Sequence, residues 1–208
     1  MLIFGVLALP TDLAVGIRVH LELAGTALAT AAAIGLPLGI WAAYSRIFRG
    51  PILGFAAIGR TLPSLAVLTF ILPFLGVGFT PAVVALTVLA IPPIAIGTDT
   101  GLRGVAASAI DAARGMGMQE SQIFLRVRWP LALPSIIYGI RIAAIEVIAS
   151  ATLATFIGAG GLGDIIVRGL QTNDDALLYY GAATVALLAL AVEATGFILT
   201  VRLRKVSA

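Results

Sequence analysis

Side chains able to do covalent or acid–base chemistry are scarce in this sequence. The 208 residues include no cysteine and one histidine, His20. Thiolate and imidazole metal sites need several such ligands, so zinc, haem and iron–sulfur chemistry is excluded, and the metal set expected is none. There is no HExxH pattern and no G-x-x-x-x-G-K-[ST] phosphate loop, so the chain does not hydrolyse nucleotides itself. An enzyme needs a nucleophile held against its base, or a metal. Ser150 and Asp164 are the pair that comes nearest to a dyad, and nothing in their spacing supports one. The expected catalytic set is therefore empty. What remains is a small number of charges in apolar surroundings: Arg60, Arg141, Glu146 and Glu193. Ionisable groups in such places are costly and mark pathways, relays or interfaces.

The elements that hold those charges are membrane helices. The composition is 60% hydrophobic and 11% charged, against about 45–50% and 25% in a soluble domain. Too little polar surface is present to clothe a water-soluble globule. A bilayer core of about 30 Å takes roughly 20 apolar residues as helix, and helix is required because lipid offers the backbone no partners. Five stretches meet this or nearly so: 21–43, 52–75, 81–96, 131–156 and 180–201. The third is short and carries Pro92-Pro93 near its end, and Pro63 is expected to kink or break the second. Met1–Pro10 lacks the basic start of a signal peptide and reads as a segment at the membrane interface. The expected architecture is all-α: a polytopic membrane bundle of about five helices forming a single domain, 1–208.

The net charge is +3. The basic residues lie between apolar segments rather than in one patch, which argues against nucleic acid as a partner and for the positive-inside rule. Arg46, Arg49, Arg103, Arg114, Arg126, Arg128, Arg202, Arg204 and Lys205 fall in one set of loops, and Arg18 and Arg168 in the other. The richer side is expected in the cytoplasm, with the N-terminus outside and the C-terminus inside.

The longest loop on the basic side, about 98–130, contains Asp111-Ala112-Ala113-Arg114-Gly115-Met116-Gly117. Ala and Arg favour helix and glycines interrupt it. The expectation is two short helices, the second over 121–127, with a bend at Gly115–Gly117. Trp129-Pro130 then opens the fourth span. Two readings stand: a handle gripped by a soluble partner, or an amphipathic loop lying on lipid.

Asp111-Ala112-Ala113, then Gly117, then Val127 and Trp129-Pro130 resemble the EAA signature of permeases in binding-protein-dependent ABC importers, a pattern of Glu-Ala-Ala, three residues, Gly, nine residues and Ile-x-Leu-Pro. The spacing agrees. Asp111, Val127 and Trp129 stand where the pattern has Glu, Ile and Leu. Gly35-Leu36-Pro37-Leu38-Gly39, Arg60-Thr61-Leu62-Pro63-Ser64-Leu65-Ala66, Gly101-Leu102-Arg103-Gly104-Val105 and Ile157-Gly158-Ala159-Gly160-Gly161-Leu162-Gly163-Asp164 are similar to the glycine betaine/carnitine/choline branch.

The resemblance implies the type I importer, methionine-permease-like fold. It implies a transport subunit of the bacterial plasma (inner) membrane that moves quaternary-amine osmoprotectants by alternating access. Another small solute, such as an amino acid, is the alternative. It also implies that Asp111, Ala112, Ala113, Gly115 and Gly117 couple to a cytoplasmic ATPase. That partner would bind ATP and Mg, and this chain no cofactor. A second permease chain, identical or different, and an extracytoplasmic substrate-binding protein complete the expected partners.

Gly158, Gly160, Gly161, Gly163 and Asp164 are expected to form part of an external gate, because irregular backbone at membrane depth is tolerated only within protein or along a water-filled cavity. A surface loop is the alternative. For the pathway the residues of interest are Glu146 and Arg141. They lie five positions apart, about 140° around a helix at 3.6 residues per turn, so each needs another partner. The resemblance implies an uncharged residue at the place of Glu146 in related permeases. It either faces the pathway and favours a cationic solute or pairs with an arginine of a neighbouring subunit. Arg60 either sits at the Pro63 break or snorkels to the cytoplasmic interface. A secondary transporter working without ATP is the rival class. It would show inverted repeats, and five spans do not divide into two.

Overall fold

The structure is a computed structural model describing residues 2–206, with side chains described for 12–203. Helices follow one another as α1 (Leu2–Tyr44), α2 (Arg49–Gly59), α3 (Ser64–Leu75), α4 (Phe79–Arg103), α5 (Ala107–Gly115), α6 (Glu120–Ile123), α7 (Trp129–Ala151), α8 (Leu162–Thr172) and α9 (Asp175–Val206). A π-helical turn, Phe124–Arg128, joins α6 to α7, and a 3₁₀ turn, Leu153–Ile157, follows α7. Among the described residues four helical stretches are long and apolar enough to cross a membrane, and the bent pair α2–α3 makes a fifth crossing if counted as one span.

Side-chain neighbours give the direction of each helix. Gly35 of α1 faces Ile94 of α4 and Gly39 faces Thr98, so α1 and α4 run parallel. Gly101 of α4 faces Ala132 of α7 while Gly97 faces Gly139, so these two run antiparallel. α9 returns along α7, with Gly196 against Arg141. The bundle therefore alternates, and Tyr44, Arg103 and Arg128 meet at one end, here the basic end. The 3₁₀ turn and α8 lie at the opposite end.

α4 is the centre of the bundle, and its buried side chains include Leu86, Leu89, Ala90 and Ile94. Small residues let the helices meet: a Cβ on Gly139 would lie 2.6 Å from the carbonyl oxygen of Pro93, and one on Gly97 would lie 2.9 Å from the Cα of Gly139. Without a hydrophobic drive between helices in lipid, this close van der Waals approach is what associates them. α9 is peripheral, with Leu187, Leu190 and Phe197 turned outward.

Three expectations about the elements need correction. The first span begins well before residue 21, because helix α1 runs from Leu2 to Tyr44. An apolar segment in lipid satisfies its backbone only by continuing as helix. Of the expected interfacial stretch, Met1 lies outside the described residues. The third span does not end near Ile96 but continues through Pro92-Pro93 to Arg103. Both prolines are buried, and membrane helices tolerate proline where neighbours pack around it. Asp99 therefore belongs to a span, not to the loop. Finally, 121–127 is not a separate helix: α6 and the π turn run on without a gap into α7, which begins at Trp129-Pro130 as expected. Helix runs from Glu120 to Ala151. Pro130 has no N–H to give the carbonyl four residues back; the π turn before it widens the ladder, and the Trp129 N–H reaches Phe124.

The second span does break. α2 and α3 meet at 101°, and Pro63 adopts an extended backbone with ψ 130°. Arg60 caps the end of α2 at this break, and it is exposed.

Candidate functional site

Three groups of residues singled out by the sequence occupy three levels of the bundle. At the basic end, α5 ends in a tight turn. The Gly117 N–H bonds to the Arg114 carbonyl at 2.9 Å and the Met118 N–H to the Ala113 carbonyl at 3.2 Å. This is the paired pattern of a Schellman motif, and it requires a left-handed residue after the helix. Gly117 supplies it with φ 78°. Gly115 keeps a helical backbone as the last residue of α5, with open space where a Cβ would stand; the expected bend at Gly115–Gly117 therefore rests on Gly117. Arg114 ties the turn to α6 through Glu120 at 2.8 Å and lies 3.6 Å from Asp111. Gln119 and Gln122 close a capping box at the start of α6. Ala113 is buried, while Asp111, Ala112 and Met116 are exposed, Met116 by 73%. The result is a rigid knob with an apolar tip, and Met116 is its feature that sequence reasoning missed.

At the opposite end, Gly158, Gly160 and Gly161 take φ values of 72°, 79° and 97°. Gly163 packs directly on the backbone of Thr152. The Thr155 hydroxyl donates to the Asp164 carboxylate. The Gly78 N–H, in the turn between α3 and α4, bonds to the Ile157 carbonyl at 2.7 Å. Ala159, Leu162 and Ile165 are buried. The segment is thus a packed plug that joins α3, α4, α7 and α8, rather than a loose surface loop. His20, fully buried on α1, pairs its Nε2 with the Ile148 carbonyl at 3.0 Å, and Gly161 packs against its ring. Beside the plug an open cleft of about 360 Å³ includes Asp12, Asp164 and Arg168. Arg168 bonds to Asp12 at 2.9 Å.

Between these ends lie the charges of the spans. Arg141 reaches α9, where its Nε stands 3.2 Å from a Glu193 carboxylate oxygen at an angle that misses a hydrogen bond. Its guanidinium covers the Tyr138 ring at 4.9 Å. Arg141 is therefore held against α9 and does not line the cavity between α4 and α7. That cavity, about 170 Å³, is lined by Arg60, Pro93, Gly97, Thr100, Ser135, Tyr138 and their neighbours. Glu146 is half-buried on α7, about one turn beyond Ile142, which lines this cavity.

One charge pair was not anticipated. Arg49 and Asp99 make a two-point fork at 3.1 and 3.0 Å, with the Asp99 side chain 2% exposed. Fork geometry of this kind is the strong form of a carboxylate contact, and it fastens α2 to α4. The helical period bears on the burial of Asp99 and not on its partner: Pro92, Ala95, Asp99 and Leu102 fall on one buried face.

The chain is similar to known proteins in sequence and in fold. The family described as binding-protein-dependent transport system inner membrane component matches residues 35–205. The carnitine transport permease protein OpuCB of Listeria monocytogenes is 44% identical over 174 residues, 84% of this chain and 80% of that protein. The glycine betaine/carnitine/choline transport system permease protein OpuCB of Bacillus subtilis (strain 168) is 39% identical over 188 residues, 90% of this chain and 85% of that one. Among solved structures, an inward-facing MetNI methionine ABC transporter superposes with a TM-score of 0.82, covering 94% of this chain and 97% of the other at 24% identity, a likeness of fold. A multi-pass helical bundle with an EAA-like turn, matched along most of its length, makes this chain a member of the binding-protein-dependent transport system inner membrane component family, the permease subunits of ABC importers.

Proposed function

We propose that this permease imports small quaternary-amine osmoprotectants of the glycine betaine, carnitine and choline type, driven by a separate ATPase. The observation that carries the reading is the knob at Asp111–Gly117. It is exposed, cross-tied by Arg114, and spaced as in the family's ATPase-docking signature, on a chain with no phosphate loop of its own. In this reading the basic end faces the cytoplasm, the N-terminus lies outside and the C-terminus inside. ATP and Mg belong to the ATPase. A second permease chain completes the pathway, and an external binding protein delivers the solute. The packed glycine segment, Gly158–Asp164, acts as part of the external gate. The solute class is supported by the names of the relatives, which transport carnitine, choline and glycine betaine.

Co-purification from native membranes in mild detergent, with partners identified by mass spectrometry, tests this assembly. An ATPase and a solute-binding protein are expected in the complex. A chain that purifies alone, under conditions that preserve other importers, contradicts the reading and reopens transport without ATP.

A further inference from the structure

We propose that Arg60 and Glu146 are the two poles of a subsite for a small zwitterion within the membrane-spanning part of the chain. The inference rests on the importer reading above and adds to it the place and the sign of solute recognition. Ser135, Gly139, Ile142 and Glu146 follow one another on α7 at intervals of four, three and four residues, which keeps them on one stripe. The first three line the cavity between α4 and α7, so Glu146 continues the same wall one turn beyond it. Arg60 lines that cavity from the break between α2 and α3. At about 170 Å³ the space is smaller than the roughly 300–1,000 Å³ of a drug-sized site and suits a small solute. Thr100, Ser135 and Tyr138 add hydroxyl groups to the lining.

The charges are what assign the ligand class. Among the described residues neither Arg60 nor Glu146 joins an ion pair, whereas Arg141 is taken by Glu193 and Tyr138. The Tyr138 ring already carries that guanidinium, so recognition of a cationic group falls to the Glu146 carboxylate. Unpaired charges at membrane depth are costly and are kept where they meet a ligand or a cavity. A solute bearing both signs satisfies the two poles at once, its ammonium end toward Glu146 and its carboxylate toward Arg60. A simple cation of the same size leaves Arg60 unmatched and is repelled by it; a simple anion meets the same difficulty at Glu146.

The test is equilibrium binding of radiolabelled glycine betaine and of choline to the purified permease–ATPase complex without the external binding protein. The two probes share the trimethylammonium group and differ in the carboxylate. Butyrate serves as the anionic control, and ATP-driven uptake is measured in parallel with the whole assembly. The wild type is expected to prefer glycine betaine over choline by about tenfold and to bind butyrate least. Arg60→Gln should remove most of that preference and Arg60→Lys should keep it. Glu146→Gln should weaken both amines by about tenfold. A purely structural Arg60–Glu146 contact would alter yield and leave the preference unmoved. Equal wild-type affinity for the two amines, an unchanged preference in Arg60→Gln, or uptake of glycine betaine with no binding to this complex overturns the subsite alone. Binding without ATP-dependent uptake overturns the importer reading instead. Where the glutamine variants fail to assemble, the wild-type ranking of the three probes and the Arg60→Lys result decide.

Discussion

Gly117 holds the Asp111–Gly117 knob in shape, because a left-handed backbone at φ 78° is what lets the Ala113 and Arg114 carbonyls find their partners. There is open space around it, so a larger residue meets no clash; the strain of that backbone for a β-branched side chain, about 1–3 kcal/mol, is the whole effect. Gly117→Val is therefore expected to leave the protein inserted and ATP hydrolysis active, while solute uptake falls about tenfold, the factor that about 1.4 kcal/mol of misfit produces. Normal uptake by that variant contradicts the docking role. Asp99 makes a different prediction. Its carboxylate is buried and forked by Arg49, and charge-assisted bonds contribute about 1.5–3 kcal/mol. Asp99→Asn should lower the melting temperature in detergent clearly, and Arg49→Gln should lower it at least as much, since it leaves a carboxylate that is 2% exposed without its partner. An Asp99→Asn melting temperature equal to wild type removes this pair from the account. The knob was legible in the sequence because its signature is a spacing. The Arg49–Asp99 fork was not, because its partners lie 50 positions apart and Asp99 looked like a loop acid.

At the scale of elements, hydropathy located the crossings and missed where helices run on past them. α4 outlasts its double proline and α6 merges with α7 because packing and a π turn absorb the missing N–H groups, and neither device leaves a mark on a hydropathy count. Pro63 did declare its break, since proline also disfavours helix at the residue before it. The α4–α7 crossing is an unforgiving contact, with backbone facing both Gly97 and Gly139. Overpacking usually costs about 1–3 kcal/mol, and here no flexible side chain can give way. Gly139→Leu is expected to reduce the yield of monodisperse protein severely on size-exclusion chromatography, whereas Gly54→Leu, where nothing lies near, should not. Equal yields would mean that this crossing is looser than drawn. The glycine segment after α7 was legible as irregular backbone. Its packing against His20 and Gly78 was not, because those contacts join residues far apart in sequence.

For the whole molecule, alternating helices place the knob and the glycine plug at opposite ends, with the α4–α7 core between them. The absence of cysteine in the sequence makes the orientation directly testable. A single cysteine at Met116 should react with an impermeant maleimide only from the cytoplasmic side, and one at Tyr179, exposed at the start of α9, only from outside. The reverse pattern would invert the arrangement and set the knob away from any ATPase. The most direct test of the central claim is uptake of radiolabelled glycine betaine, carnitine and choline by proteoliposomes holding this chain, its ATPase and the external binding protein. Accumulation of at least one of these solutes that requires ATP and all three components, and that fails with Gly117→Val, is the predicted result. Accumulation without ATP, or none of any of the three solutes from a fully assembled complex, would contradict it.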